Sequence, residues 1–187
     1  MNSSGQHTNF PPLETQRLFL RNLTAEDTDF VFCHFSDPAV TQYLMDQPPL
    51  TEYEGAQEII RFYQEPEANK RNRWGIVRKA DNQLIGTCGY HNWHQRDCRA
   101  EVGYDLSPTC WRQGYMTEAL RVVIPNGFTR MGLNRIEALV YTGNTRSVRL
   151  LQKLCFQIEG ALRDYYYLNA MFHDHYLLAL LRRDWKG

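Results

Sequence analysis

Residues 99–117, reading Arg-Ala-Glu-Val-Gly-Tyr-Asp-Leu-Ser-Pro-Thr-Cys-Trp-Arg-Gln-Gly-Tyr-Met-Thr, constrain the fold of this chain more than any other stretch. The alternation through Leu106 reads as a β-strand carrying one carboxylate, Glu101, followed by a polar turn with Gly114 and then the start of a helix. A strand that runs into a helix N-terminus presents unpaired backbone N–H groups at the positive end of a dipole. Such groups hold phosphate without a charged side chain. Glu101 lies upstream on the strand feeding that turn, so an acid/base group and a phosphate cradle are adjacent. The pairing points to an enzyme that uses a phosphate-bearing cofactor.

A chain of 187 residues fits one domain with a sizeable core. Lysine plus arginine and aspartate plus glutamate both number 21, and this neutral balance argues against a nucleic-acid binder. No apolar run approaches the roughly 20 residues that span a bilayer. Residues 1–12 are polar, do not read as a signal peptide, and are expected to be a flexible lead-in to a domain over 13–187. Five scattered cysteines with no Cys-x-x-Cys pair indicate neither a zinc knuckle nor a disulfide framework, and fit a reducing cytoplasm. Eleven tyrosines and four tryptophans exceed what a small core needs, so some are free to line a groove.

Along the chain, strands are expected over 17–23, 73–79, 84–93, 99–106, 136–141, 158–162 and 172–181. Thr24 caps a helix over 25–35, and Thr51 with Glu54 forms a capping-box pattern for another over 52–65. Residues 66–72 read as a loop, and Asp81-Asn82-Gln83 as a hairpin turn. A third helix over 117–131 contains Pro125, where a kink is expected. Asn144 caps a fourth, running to Leu154. The order β-α-α-β-β-β-α-β-α-β-β describes an α/β (α+β) domain with a mixed sheet.

On the 99–106 strand, Glu101, Gly103 and Asp105 share a face opposite Ala100, Val102, Tyr104 and Leu106. In a central strand Glu101 is confined, its pKa is expected to rise, and it becomes a proton acceptor near neutral pH; on an edge strand it is a solvated glutamate. Gly114 suits a close backbone approach or a positive φ. Asn144 and Ser147, three apart, are either an ordinary helix cap or ligand contacts. His91, Trp93 and His94 end the preceding strand and either wall an acceptor groove or cover the hairpin. His173 and His175 share a strand face, without a third metal ligand nearby in sequence. Tyr165, Tyr166 and Tyr167 form an aromatic run between the last two strands. Arg146 and Arg149 are either phosphate contacts or ordinary exposed helix residues.

Five segments in order carry a family likeness: Glu-Thr-Gln-Arg-Leu-Phe-Leu-Arg (14–21), Ala-Glu-Val-Gly-Tyr-Asp-Leu (100–106), Trp-Arg-Gln-Gly-Tyr-Met-Thr-Glu-Ala (111–119), Asn-Thr-Arg-Ser-Val-Arg-Leu-Leu-Gln-Lys-Leu-Cys-Phe (144–156) and Glu-Gly-Ala-Leu-Arg-Asp (159–164). Over residues 13–185 the chain resembles the GNAT superfamily of acetyl-coenzyme A dependent N-acetyltransferases. More narrowly, it is similar to the branch that includes the ribosomal-protein N-terminal alanine acetyltransferases. The resemblance implies a GNAT fold, a mixed, mostly antiparallel, twisted sheet flanked by helices. It also implies a cytoplasmic enzyme using acetyl-CoA and no metal, with dimerisation as a further expectation.

By that resemblance, Arg112, Gln113, Gly114, Tyr115, Met116 and Thr117 bind the pyrophosphate of coenzyme A, and the backbone at Leu106 pairs with its pantetheine arm like an added strand. Asn144 and Ser147 reach toward the thioester end. Glu101 takes the proton of the incoming ammonium, and a backbone N–H near Tyr104 or Asp105 polarises the carbonyl. His91, Trp93 and Tyr104 are the candidate acceptor contacts. The chain departs from the widespread pattern at Trp111 and Met116 in the turn, and at Leu151, where many relatives carry a tyrosine acid; Ser147 or water is the substitute. Cys155 fills a usual glycine slot, at about 1 kcal/mol of strain if its φ is positive. The acceptor implied is a primary amine, first the N-terminal α-amino group of a ribosomal protein, with antibiotics and polyamines as alternatives. A non-catalytic acyl-CoA-binding module and a metal hydrolase on His173 and His175 are the rival classes.

Overall fold

The computed structural model describes residues 10–44, 48–64 and 71–186. Their elements are β1 (Leu13–Glu14), β2 (Leu18–Asn22), α1 (Thr28–Ser36), α2 (Pro38–Thr41), α3 (Tyr53–Gln64), β3 (Trp74–Arg78), β4 (Gln83–His94), β5 (Arg99–Leu106), α4 (Tyr115–Thr129), β6 (Arg135–Tyr141), α5 (Thr145–Lys153), β7 (Gln157–Leu168) and β8 (Met171–Leu181). The strands form one sheet in the order β1-β2-β3-β4-β5-β6-β8-β7. Every pairing is antiparallel except β5 with β6, which α4 connects as a crossover. The sheet is therefore mixed and mostly antiparallel, as expected.

The β5–β6 pairing governs everything that follows. It covers only Arg99↔Arg135, Ala100↔Ile136 and Glu101↔Glu137. Beyond Glu101 the two strands part: β5 continues on β4 to Leu106, and β6 continues on β8 to Tyr141. The sheet thus forks at its centre, and the inner edges of both strands are left without a strand partner.

Period-2 alternation distributes the helices. Ala100 and Val102 of β5 belong to the main apolar core with Ala119, Leu120, Val123 and Ile124 of α4 and Leu151 and Leu154 of α5. Asp105, on the opposite face, meets His34 of α1. The smaller cluster there joins Val31 of α1 to Ala56 and Ile60 of α3. Each fully buried aliphatic side chain contributes about 1.5–3 kcal/mol, which is what holds α4 across the sheet despite its internal Pro125. Among the described residues no helix is long and apolar enough to cross a membrane.

Several local expectations are revised. Phe10, placed by sequence in the flexible lead-in, is 5% exposed and packs edge-to-face on Trp74, with ring centroids 5.9 Å apart. Asp27 accepts from the Thr24 N–H at 2.7 Å, but the first turn is 3-10 over Ala25–Asp27 and α1 begins at Thr28. The Asp37-Pro38 pair starts the short α2, whose first turn is capped by Asp37 Oδ1 accepting from the Ala39 N–H at 2.8 Å. The helix expected from 52 starts at Tyr53, leaving Thr51 one position too early for the cap. The tyrosine run lies inside β7, and the hairpin turns instead at Asn169 and Ala170, both with positive φ (52° and 59°). The expected loop over 66–70 and the lead-in over 1–9 lie outside the described residues.

Candidate active site

The turn between β5 and α4 is bent by two left-handed residues, Arg112 (φ 61°) and Gly114 (φ 81°). Glycine takes that conformation without steric cost, whereas Arg112 stores about 1–2 kcal/mol there. Gly114 is the N-cap of α4, so the free N–H groups of the first helical turn open at this point. The Trp111 indole Nε1–H donates to the Leu106 carbonyl at 2.7 Å and ties the turn to the strand end. Trp111 in turn carries the Arg146 guanidinium 5.0 Å over its ring.

A cleft of about 660 Å³ runs from this turn along the open edge of β5. Tyr104, Leu106, Arg112, Gly114, Tyr115, Met116, Thr117, Asn144 and Ser147 all line it, so one cleft collects residues that sequence reading had named from three separate segments. Gln113 stands apart: its side chain bonds back to the Thr109 carbonyl at 2.8 Å. Arg112, Arg146, Arg149 and Lys153 bring positive charge to the lining. Asn144 Oδ1 accepts from the Ser147 N–H at 3.1 Å, which fixes the first turn of α5. The Ser147 hydroxyl lies 2.7 Å from the Tyr104 hydroxyl. Burial pushes the Tyr104 phenol well up, so it stays a neutral hydrogen-bonding group. Leu151 is fully buried in the core, and Cys155 has a φ of 68°, the conformation of its glycine-like slot.

Glu101 sits where the fork opens. Burial pushes its carboxyl up, but hydrogen bonds and charge from His91, Asn92 Nδ2 and the Leu139 backbone N–H outweigh it, and the pKa falls below the usual carboxylate value. The expected rise is thus reversed, chiefly because β4 sets His91 and Asn92 against the carboxylate, with the Leu139 N–H on β6 adding a smaller contribution. His91 Nε2 lies 3.3 Å from Glu101 Oε1, and Asn92 Nδ2 donates to Oε2 at 3.1 Å. Trp93 lies elsewhere, packed on the core with its ring 6.3 Å from that of Phe10. A register shift in β4 after His91 separates the two side chains that sequence reading had grouped.

Sequence reading missed the cluster at Asp105. Its carboxylate is paired with Arg73, accepts from the Thr87 N–H and Oγ1–H at 3.0 and 2.7 Å, and lies 2.7 Å from His34 Nε2. Burial pushes the Asp105 carboxyl up, but Arg73 and His34 hold it far below the usual range. The partners come from α1, β4 and the residue just before β3, and no spacing along the chain announces them.

This geometry, a forked sheet with a cationic cleft ending at a helix N-terminus, has known relatives. Residues 17–157 match the acetyltransferase (GNAT) domain family. The chain belongs to the GNAT family. An uncharacterised N-acetyltransferase p20 of Bacillus licheniformis is 41% identical over 94% of this chain and 98% of that protein. The [ribosomal protein uS5]-alanine N-acetyltransferase of Escherichia coli is 30% identical over 60% of this chain and 58% of that protein. A spermidine N-acetyltransferase of Vibrio cholerae, solved with CoA and spermine, superposes with a TM-score of 0.82 at 20% identity, covering 92% of this chain and all of that one.

The GNAT fold uses acetyl-CoA, and the chemistry of this cleft suits such a molecule: cations and helix N–H groups at one end, a free strand edge along its length. The Leu106 carbonyl already holds the Trp111 indole, so a pantetheine amide would share that oxygen's second lone pair. Among the described residues no three His, Cys, Asp or Glu side chains could hold a metal. His173 and His175 instead pack against the Tyr141 ring, at 5.5 and 5.9 Å, and His175 also meets Tyr166 at 4.8 Å. The chain is a GNAT acetyltransferase.

Proposed function

We propose that the protein transfers acetyl from acetyl-CoA to the α-amino group at the N-terminus of a protein, and that Glu101, His91 and Ser147 carry the proton transfers while Tyr104 orients Ser147. Coenzyme A, when bound, supplies the acetyl thioester. The open β5 edge from Tyr104 to Leu106 holds the pantetheine arm, and a β5 N–H polarises the thioester carbonyl. An α-amine of pKa about 8 arrives mostly protonated at pH 7. Glu101, ionised there, attracts the ammonium, but its low pKa makes it a poor resting place for the proton. The Glu101–His91 pair, 3.3 Å apart, takes that proton together. The amine nitrogen then forms the new C–N bond as the C–S bond breaks. Ser147 gives the departing sulfur a proton and recovers the one that the nitrogen sheds on becoming an amide, while the Tyr104 hydroxyl at 2.7 Å orients it.

The observation that carries the choice of acceptor is the state of the other carboxylates on the Glu101 face. Glu137, paired with Glu101 across the fork, is bonded to Arg99 at 3.1 Å and Arg135 at 2.6 Å, and Arg135 also holds Glu159 at 2.8 and 2.6 Å. With these neighbours compensated by arginine, Glu101 suits a single ammonium better than a polycation. The likeness to the uS5-alanine enzyme agrees with that preference. The test is thiol release from acetyl-CoA with Ala- and Ser-started peptides, spermidine and an aminoglycoside. Turnover with the peptides is the expected result; turnover with spermidine alone would replace this acceptor with a polyamine.

A further inference from the structure

Resting on that reading of the cleft, we infer that Arg17, at the head of β2, is a positioning residue for the phosphate end of coenzyme A. Arg17 reaches the turn from outside the cleft. Its NH1 donates to the Gln113 carbonyl at 3.1 Å, and its Nε and backbone N–H donate to the two carboxylate oxygens of Glu118 at 2.6 and 2.8 Å. The guanidinium carbon stands 4.5 Å above the Tyr115 ring, and the outer face of Gly114 meets Arg17 NH2. Thr15 adds a hydroxyl donor to Glu118 at 2.6 Å.

Two consequences converge on the anion end of the cleft. In a planar trans peptide the N–H points opposite the C=O. Holding the Gln113 carbonyl on the Arg17 side therefore turns the Gly114 N–H the other way, and Gly114, unlike Gln113, lines the cleft. Glu118 lies in the first turn of α4, where its negative charge would repel a bound phosphate. Arg17 neutralises that charge from behind while the helix N–H groups stay free. A lysine in its place could answer the charge of Glu118, but its single ammonium lacks the fork that reaches Gln113 at the same time.

The test is calorimetric titration of the full chain with two probes, coenzyme A and pantetheine, which lacks the pyrophosphate and the nucleotide. Arg17→Gln is expected to raise the Kd for coenzyme A about tenfold and to leave that for pantetheine unchanged. Arg17→Lys is expected to fall between, at about threefold, and carries the same comparison should the glutamine variant not fold. Unchanged coenzyme A affinity in both variants would overturn the role of Arg17 alone. Equal losses for both probes would also overturn it, since they mean that the whole cleft has deformed. Absence of coenzyme A binding to the unaltered chain would overturn the reading of the cleft together with the role of Arg17.

Discussion

Glu101 and Asp105 stand on the same face of the same strand, and they have opposite fates. The Asp105 side chain is 3% exposed and meets Arg73, His34 and two donors of Thr87. The Glu101 side chain is 14% exposed, with His91 at 3.3 Å, the amide of Asn92 and one backbone N–H. Both carboxyls are held below their ordinary range; Asp105, although its residue lines the cleft, is enclosed by four partner groups, whereas the His91 side chain beside Glu101 is 33% exposed. A depressed pKa does not by itself separate a structural carboxylate from a reactive one. What separates them is whether the donors that depress it are locked in the core or stand at an opening.

The largest expected effect tests the structural side. Asp105→Asn leaves Arg73 facing a neutral amide and should cost about 3–5 kcal/mol of stability, read by denaturant unfolding. Because the folded pKa of Asp105 is depressed, its contribution is present above the unfolded value near 4 and is lost as pH falls through the folded one. The unaltered protein should therefore lose stability on acidification below about pH 4, and the variant should show a shallower acid limb. An identical acid limb in both would remove Asp105 from the account.

Glu101→Gln tests the reactive side. Turnover at neutral pH should fall about 10²–10⁴-fold, with coenzyme A affinity retained and stability changed by less than about 1 kcal/mol. A stability loss rivalling that of Asp105→Asn would dissolve the contrast between the two carboxylates. The smallest effect belongs to Tyr104→Phe, which removes one hydrogen bond to Ser147 and should lower kcat about fivefold with little change in KM. An unchanged kcat would show that Tyr104 does not orient Ser147 and would favour water as the proton donor.

Much of the site was legible because it is built from local signals. Gly114 before a helix, Asn144 as an N-cap and the alternation of β5 each depend on neighbours a few residues away, and all three hold in the folded chain. Local signals failed where a single residue had to be assigned to core or groove. Phe10 gave no sign that Trp74 would receive it, and Trp93 and His91 were parted by a register shift visible only in the paired strand.

The sequence by itself determined the order of the longer elements, the strand–turn–helix that opens the cleft, and membership in a family of acetyl-transferring enzymes. Only the tertiary structure decided which charges meet: Arg17 with Glu118 across 101 positions, and His34 with Asp105 across 71. It also decided that β5 and β6 part after Glu101, and that β4 sets His91 and Asn92 against Glu101, which gives the Glu101 pKa shift its sign. The physical reason is range. Propensity and capping act within a helical turn or between adjacent strand positions. The field at a carboxylate is a sum over whatever the fold brings within a few ångströms, and that sum does not exist until the chain has closed on itself.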